Sequence, residues 1–67
     1  MAALKWTDTL EIAIQLSEAH PEQDPAQLRF TALMAMVQAL REFDDAPERC
    51  GERILEAIQQ AWIDELE

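Results

Sequence analysis

Carboxylates are the side chains in this chain best placed to do chemistry, and they come in recognisable groupings. Asp44 and Asp45 stand together after Phe43, while Glu48, Glu52 and Glu56 recur every four residues. Asp64, Glu65 and Glu67 crowd the C-terminal end, and Asp8 and Glu11 lie three apart near the beginning. Each grouping has an ordinary structural explanation. Acids that precede a helix complement its macrodipole, which accounts for Asp44 and Asp45 ahead of the third predicted helix. A four-residue ladder is a solvated helix face, costing a few tenths of a kcal/mol per like-charge contact and partly relieved by Arg49 and Arg53. The C-terminal acids resist that treatment. There the dipole disfavours negative charge by roughly 0.3 to 1 kcal/mol each, so stability alone does not place them, although a frayed, solvated tail tolerates them. A basic partner or a cation does select for such charge.

Other chemistries find few residues. The chain has one histidine and one cysteine, and Ser17 is its lone serine, with no glycine-rich turn to shape an oxyanion hole. A nucleophilic site needs a base beside its nucleophile, so no catalytic residues are assigned and an enzyme is not expected. His20 precedes Pro21 and reads as a residue at a helix end. Cys50 reads as inert, although a position near a helix start lowers a thiol pKa. Zinc prefers sets of three or four imidazole and thiolate ligands, which the chain cannot supply. Hard cations with oxygen preference (ferrous iron, calcium, magnesium) suit the composition, held weakly by exposed carboxylates. No EF-hand loop is present.

These acids need a scaffold, and the chain has the apolar residues to build one. Fourteen acidic against five basic residues leave a net charge of −9 on 67 residues, yet 49% of the chain is hydrophobic. Acidic disordered segments lack that apolar share, so a folded domain is expected. Turn formers concentrate at His20 to Pro25 and at Asp44 to Gly51, leaving three helical segments. The first is capped by Thr7 or Asp8, with Glu11 completing a capping box, and carries Ile12, Leu16 and Ala19 inward until Pro21 ends it. Asp24 to Phe30 reads as a proline-containing turn followed by a short extended piece, Leu28 to Phe30. Thr31 then caps a second helix with the stripe Leu33, Met36, Val37 and Leu40. The third starts after Pro47 and directs Ile54, Leu55, Ile58, Ala61, Trp62 and Leu66 inward. Trp6, Trp62, Met34 and Met36 read as core.

Length and charge limit what such a domain does. A domain near this size buries only about 60% of its unfolded surface, so its stability margin is thin, and carboxylate repulsion narrows it. One domain spanning 1–67 is expected, and strong like charge favours a monomer. A −9 surface repels phosphates and anionic lipid and attracts basic protein patches, which argues against nucleic acid and membrane as partners. No apolar run approaches the roughly 20 residues of a membrane span. Met1 to Thr7 does not read as a secretory signal and Cys50 has no internal partner, so the expected compartment is the cytoplasm.

The strings Leu4-Lys5-Trp6-Thr7-Asp8, Glu11-Ile12, Asp24-Pro25, Arg29-Phe30-Thr31, Phe43-Asp44-Asp45 with Pro47, and Ile54-Leu55-Glu56-Ala57-Ile58 with Trp62 and Asp64-Glu65 follow one another along the chain. Together they resemble the IscX (YfhJ) family of bacterial iron-sulfur cluster assembly proteins. The resemblance covers essentially the whole chain. It implies a mainly α, modified winged-helix-like domain of three helices with a minimal β element and no catalytic centre. It further implies an adaptor or regulator that docks on the cysteine desulfurase IscS, binds Fe2+ weakly without a tightly bound cofactor, and shares its docking site with the bacterial frataxin CyaY. Residues expected to hold the cation are Asp44, Asp45, Glu48, Asp64, Glu65 and Glu67; those expected to dock are Asp8, Glu11, Asp44, Asp45, Asp64 and Glu65. Lys5 and Arg29 are expected to be structural. Ala46 stands where family members carry a third acid, and Leu33-Met34-Ala35-Met36 and Gln59-Gln60 also depart from the family pattern. Two other functions remain open: a regulator for which metal is incidental, and a carboxylate iron store. Winged-helix topology ordinarily suggests DNA, but here charge overrules it.

Overall fold

A computed structural model describes residues 3–67. Met1 and Ala2, the start of the stretch read against a secretory signal, lie outside them. The chain forms α1 (Thr9–Ala19), α2 (Phe30–Gln38) and α3 (Glu52–Glu65), with single 3-10 turns at Pro25–Gln27 and Pro47–Arg49. The principal interface is α1 against α3, and α2 packs on both. Ile12, Ala13 and Leu16 from α1, Leu33 and Val37 from α2, and Leu55, Ile58 and Trp62 from α3 are buried together, closed at one end by Leu4 and Trp6. Spacings of three and four on each helix put these side chains on one face, which is why three short helices suffice. Among the described residues no helix is long and apolar enough to cross a membrane. The mainly α domain expected from the sequence is the one observed.

The minimal β element is present, in a different place from the extended piece expected at Leu28 to Phe30. Leu28 and Arg29 are extended, but Phe30 already belongs to α2. Among the described residues the β pairing is instead a single parallel bridge between Leu4 and Phe43. Leu4 N donates to Glu42 O at 2.8 Å and Asp44 N donates to Leu4 O at 2.9 Å. Pairing partners 39 residues apart are set by how the helices pack, and no local signal announces them. Trp6 and Phe43 then meet edge to face, ring centroids 4.6 Å apart.

Helix boundaries correct four further expectations. Asp8 precedes α1, but its carboxylate makes no forward cap; Oδ2 accepts from Lys5 N at 2.9 Å, while Asp8 N donates to Lys5 O at 2.9 Å. The reciprocal pair closes the Lys5 to Asp8 turn and displaces the capping box. Thr31 lies inside the first turn of α2, whose N-cap is Arg29, without a side-chain cap. The third helix begins at Glu52 rather than after Pro47, because Cys50 and Gly51 are extended and separate it from the Pro47 turn. Glu48 therefore stands outside the helical ladder, which keeps Glu52 and Glu56 alone. Ala19 and Leu66 are not inward: both fall in terminal turns beyond the packed interface, and Leu66 is 53% exposed.

Gln59 has a structural task. From α3 its amide nitrogen donates to Pro25 O at 2.8 Å and Leu28 O at 3.4 Å, tying the α1–α2 connection to the core. Trp6, Trp62, Met34 and Met36 take the core positions read from the sequence, the tryptophans fully and the methionines partly buried.

Candidate functional site

The acids sort by what holds them. Around Lys5 and Trp6 the chain builds a latch between its N-terminal segment and the stretch after Phe43. Trp6 Nε1 donates to Ala46 O at 2.8 Å, and Lys5 Nζ donates to Asp44 O. Asp45 turns inward to complete it. Its Oδ2 accepts from Trp6 N at 3.1 Å, its Oδ1 accepts from Ala46 N at 2.8 Å, and Arg49 Nε lies 3.8 Å away. The Asp45 side chain is only 9% exposed. The Trp6 N–H, together with the Ala46 N–H, Arg49 and Lys5, holds its carboxyl below the ordinary carboxylate range, against the opposing pull of burial.

Latching Asp45 leaves its neighbour displayed. Asp44 is exposed, with its backbone fixed on both sides by the bridge to Leu4 and the bond from Lys5. Asp8, bound to the Lys5 N–H, lies against the same residue. Glu11 is exposed on the first turn of α1, and Glu18 follows seven residues on. Glu42 approaches this face from the α2 side, its Oε2 accepting from Gln15 Nε2 at 3.3 Å. Glu18 and Glu42 were not among the expected docking residues. The spacing of Glu11, Gln15 and Glu18 is a helix-face signal that points to the first; nothing local points to the second.

Between α1 and the end of α2 this face opens into a groove of about 640 Å³, with Met36, Leu40 and Ala39 among its apolar lining and Glu11, Glu18, Glu42, Arg41 and His20 around it. The groove was not legible as such in the sequence.

The C-terminal acids are held differently. Asp64, Glu65 and Glu67 are all exposed, and among the described residues one side-chain bond touches them, from Gln60 Nε2 to Asp64 Oδ1 at 3.0 Å. They are also far from the latch. Ile54, near the start of α3, lines a small pocket with Trp6 and Asp45; Asp64 lies ten residues further, about 15 Å along the helix at 1.5 Å per residue. The opposite end of α1 reaches this region, where the His20 and Trp62 rings lie 6.5 Å apart. The expected site residues are thus two groups rather than one, with exposed Glu48 on the Pro47 turn beside the first.

No three or more His, Cys, Asp or Glu side chains converge as a metal site among the described residues. Asp8, Glu11, Asp44, Glu48 and the three tail acids are exposed to water, whereas Asp45 is largely buried. Cys50 is half-buried and burial pushes its thiol up from the ordinary value, away from the thiolate that reacts or ligates. Arg49 makes the one ion pair among the described residues, so most of the negative charge is left without a cation of its own.

Two comparisons bear on identity. An uncharacterized protein of Pseudomonas aeruginosa is 59% identical over 63 residues, covering 94% of this chain and 96% of that protein. The sequence model of the iron-sulphur cluster assembly family matches residues 4–67, a span that takes in the latch, the three helices and the acidic tail alike. This protein accordingly belongs to the iron-sulphur cluster assembly family, of the IscX type that its sequence resembles.

Proposed function

We propose that the protein is an acidic adaptor of iron-sulphur cluster assembly, docking on the cysteine desulfurase IscS through carboxylates and carrying Fe2+ as weakly held, exchangeable cargo. One observation carries this reading: the latch end presents Asp44 on a backbone pinned by long-range hydrogen bonds to Leu4 and Lys5, with Asp8 turned back on Lys5 and Glu11 exposed beside it on α1, and among the described residues none of the three carboxylates is in an ion pair. A pre-ordered, unneutralised anionic surface steers a basic partner and loses little entropy when it docks. Asp45 is a positioning residue here, orienting the loop that displays Asp44. Asp64, Glu65 and Glu67 extend the field and supply further carboxylates for the cation.

The same surface favours competition with the frataxin CyaY for one basic site. It disfavours nucleic acid and anionic membrane. The module acts as a monomer in the cytoplasm and by contact rather than catalysis. Iron as cargo fits carboxylates that are exposed and scattered, because a few oxygen ligands completed by water hold a hard divalent ion loosely.

A second reading, a pure interaction regulator with incidental metal, draws on the lack of three converging ligands among the described residues. Calorimetry of desulfurase binding with and without ferrous iron decides between them. An affinity that changes with iron supports the adaptor, and an equal affinity leaves the pure regulator. Persistent iron binding with no heat against the desulfurase sinks both in favour of an iron store.

A further inference from the structure

The groove between α1 and the end of α2 combines an apolar floor with a predominantly acidic rim. Its floor is apolar, with Met36 and Leu40 half-buried and Ala39 exposed at the end of α2, and its rim carries three exposed acids, Glu11, Glu18 and Glu42, against one exposed cation, Arg41, with His20 at one side, so the rim is negative on balance. A volume of about 640 Å³ is enough for one or two large aliphatic side chains and their backbone. Solvated acids around an apolar floor select for a ligand that brings both complements at once. We propose that this groove seats a basic segment of a partner protein, one or two aliphatic side chains on the floor between Met36 and Leu40, flanking Arg or Lys side chains against Glu11, Glu18 and Glu42. The inference rests on the reading of the protein as an acidic docking module and names what that module grips. Charge complementarity selects this occupant: a second copy of the chain at −9 would bring like charge to the rim, and an acidic or neutral peptide would leave the rim carboxylates desolvated and unpaired.

The test uses the whole domain and two labelled hexapeptides, one with two leucines between pairs of arginines and one with serines in place of the leucines. Fluorescence anisotropy at physiological salt should show the leucine peptide binding about tenfold or more tightly than the serine peptide, as expected for burying aliphatic side chains. Amide shift changes should centre on Met36, Ala39 and Leu40. Ala39→Arg, at an exposed helix end where folding is undisturbed, should abolish that preference, and Glu18→Gln should weaken binding of both peptides several-fold. Equal affinity for the two peptides, no binding of either, or an Ala39→Arg variant that binds like the parent would overturn the groove. Desulfurase calorimetry on the same variants keeps the two ideas apart. Desulfurase binding that ignores Ala39→Arg removes the groove and leaves docking standing, whereas a retained peptide preference with no desulfurase heat removes that partner and leaves the groove.

Discussion

The two acidic ends of this molecule use the same side chains in different ways. At the latch end a carboxylate is structural: Asp45 takes two backbone N–H groups and an arginine, and so fixes the loop on which Asp44 is displayed. At the tail, among the described residues, the side chains of Asp64, Glu65 and Glu67 cap nothing and brace nothing beyond one bond from Gln60. The first arrangement gives direction, because its donors and acceptors hold a fixed geometry. The second gives field, because solvated charges at the end of a helix act over a Debye length without a defined orientation. Negative charge is therefore a position at one end and a quantity at the other.

The sharpest way to break this contrast is at Trp6, whose ring is buried and whose two N–H groups both feed the latch. Trp6→Ala is expected to cost about 3 to 5 kcal/mol, comparable to the whole stability of a domain this small, so its amide spectrum should collapse. Neutralising all three tail acids should leave the spectrum dispersed. A well-dispersed Trp6→Ala spectrum would show that the latch does not hold the fold.

Next in size is the pair of neighbours Asp44 and Asp45. Asp45→Asn should lower the melting temperature by several degrees at neutral pH, while Asp44→Asn should leave it nearly unchanged. The folded protein depresses the Asp45 pKa, so the ionised group stabilises above the unfolded value of about 4, and that stabilisation is lost as pH falls through the lower folded value. The gap between parent and Asp45→Asn should therefore close below about pH 4. A gap that persists at lower pH would remove charge from the explanation.

Association kinetics sharpen the difference between direction and field. Asp8→Asn with Asp44→Asn should slow binding to the desulfurase and flatten its salt dependence, and should also raise the dissociation rate, since a fixed contact is lost. The tail substitutions Asp64→Asn, Glu65→Gln and Glu67→Gln should slow association with little change in dissociation. If both sets move only the association rate, the latch end is no more specific than the tail.

The smallest effect expected concerns stability at the tail. Removing charge that opposes the α3 dipole should stabilise the domain by a few tenths of a kcal/mol up to about 1 kcal/mol, read as a small rise in melting temperature that salt erases. A fall instead would mean that those acids make contacts absent from the structure.

Much of the scaffold was legible in the residues. Leu33 and Val37, or Leu55, Ile58 and Trp62, announce a buried helix face by spacing alone, because a 3.6-residue period is a local property. Charge was equally legible, since no fold hides fourteen acids on a chain this short. The boundaries were less so. Asp8 and Glu11 have the capping-box pattern, yet Asp8 turned back to Lys5, and Pro47 marks a turn that stops before α3 begins. In the first case a competing local turn took the carboxylate, and in the second the extended Cys50 and Gly51 separated the turn from the helix.

By itself the sequence determined three apolar helix faces, a strongly anionic surface and the family to which the chain belongs, because periodicity, charge count and ordered motifs need no third dimension. Only the tertiary structure decided which carboxylates face inward, that Leu4 pairs with Phe43, that the acids divide between the latch and the far end of α3, and that Glu11, Glu18 and Glu42 meet Arg41 around one groove. Those outcomes depend on backbone groups far apart in the chain finding one another, and a hydrogen bond across 39 residues leaves no trace in the spacing of its neighbours.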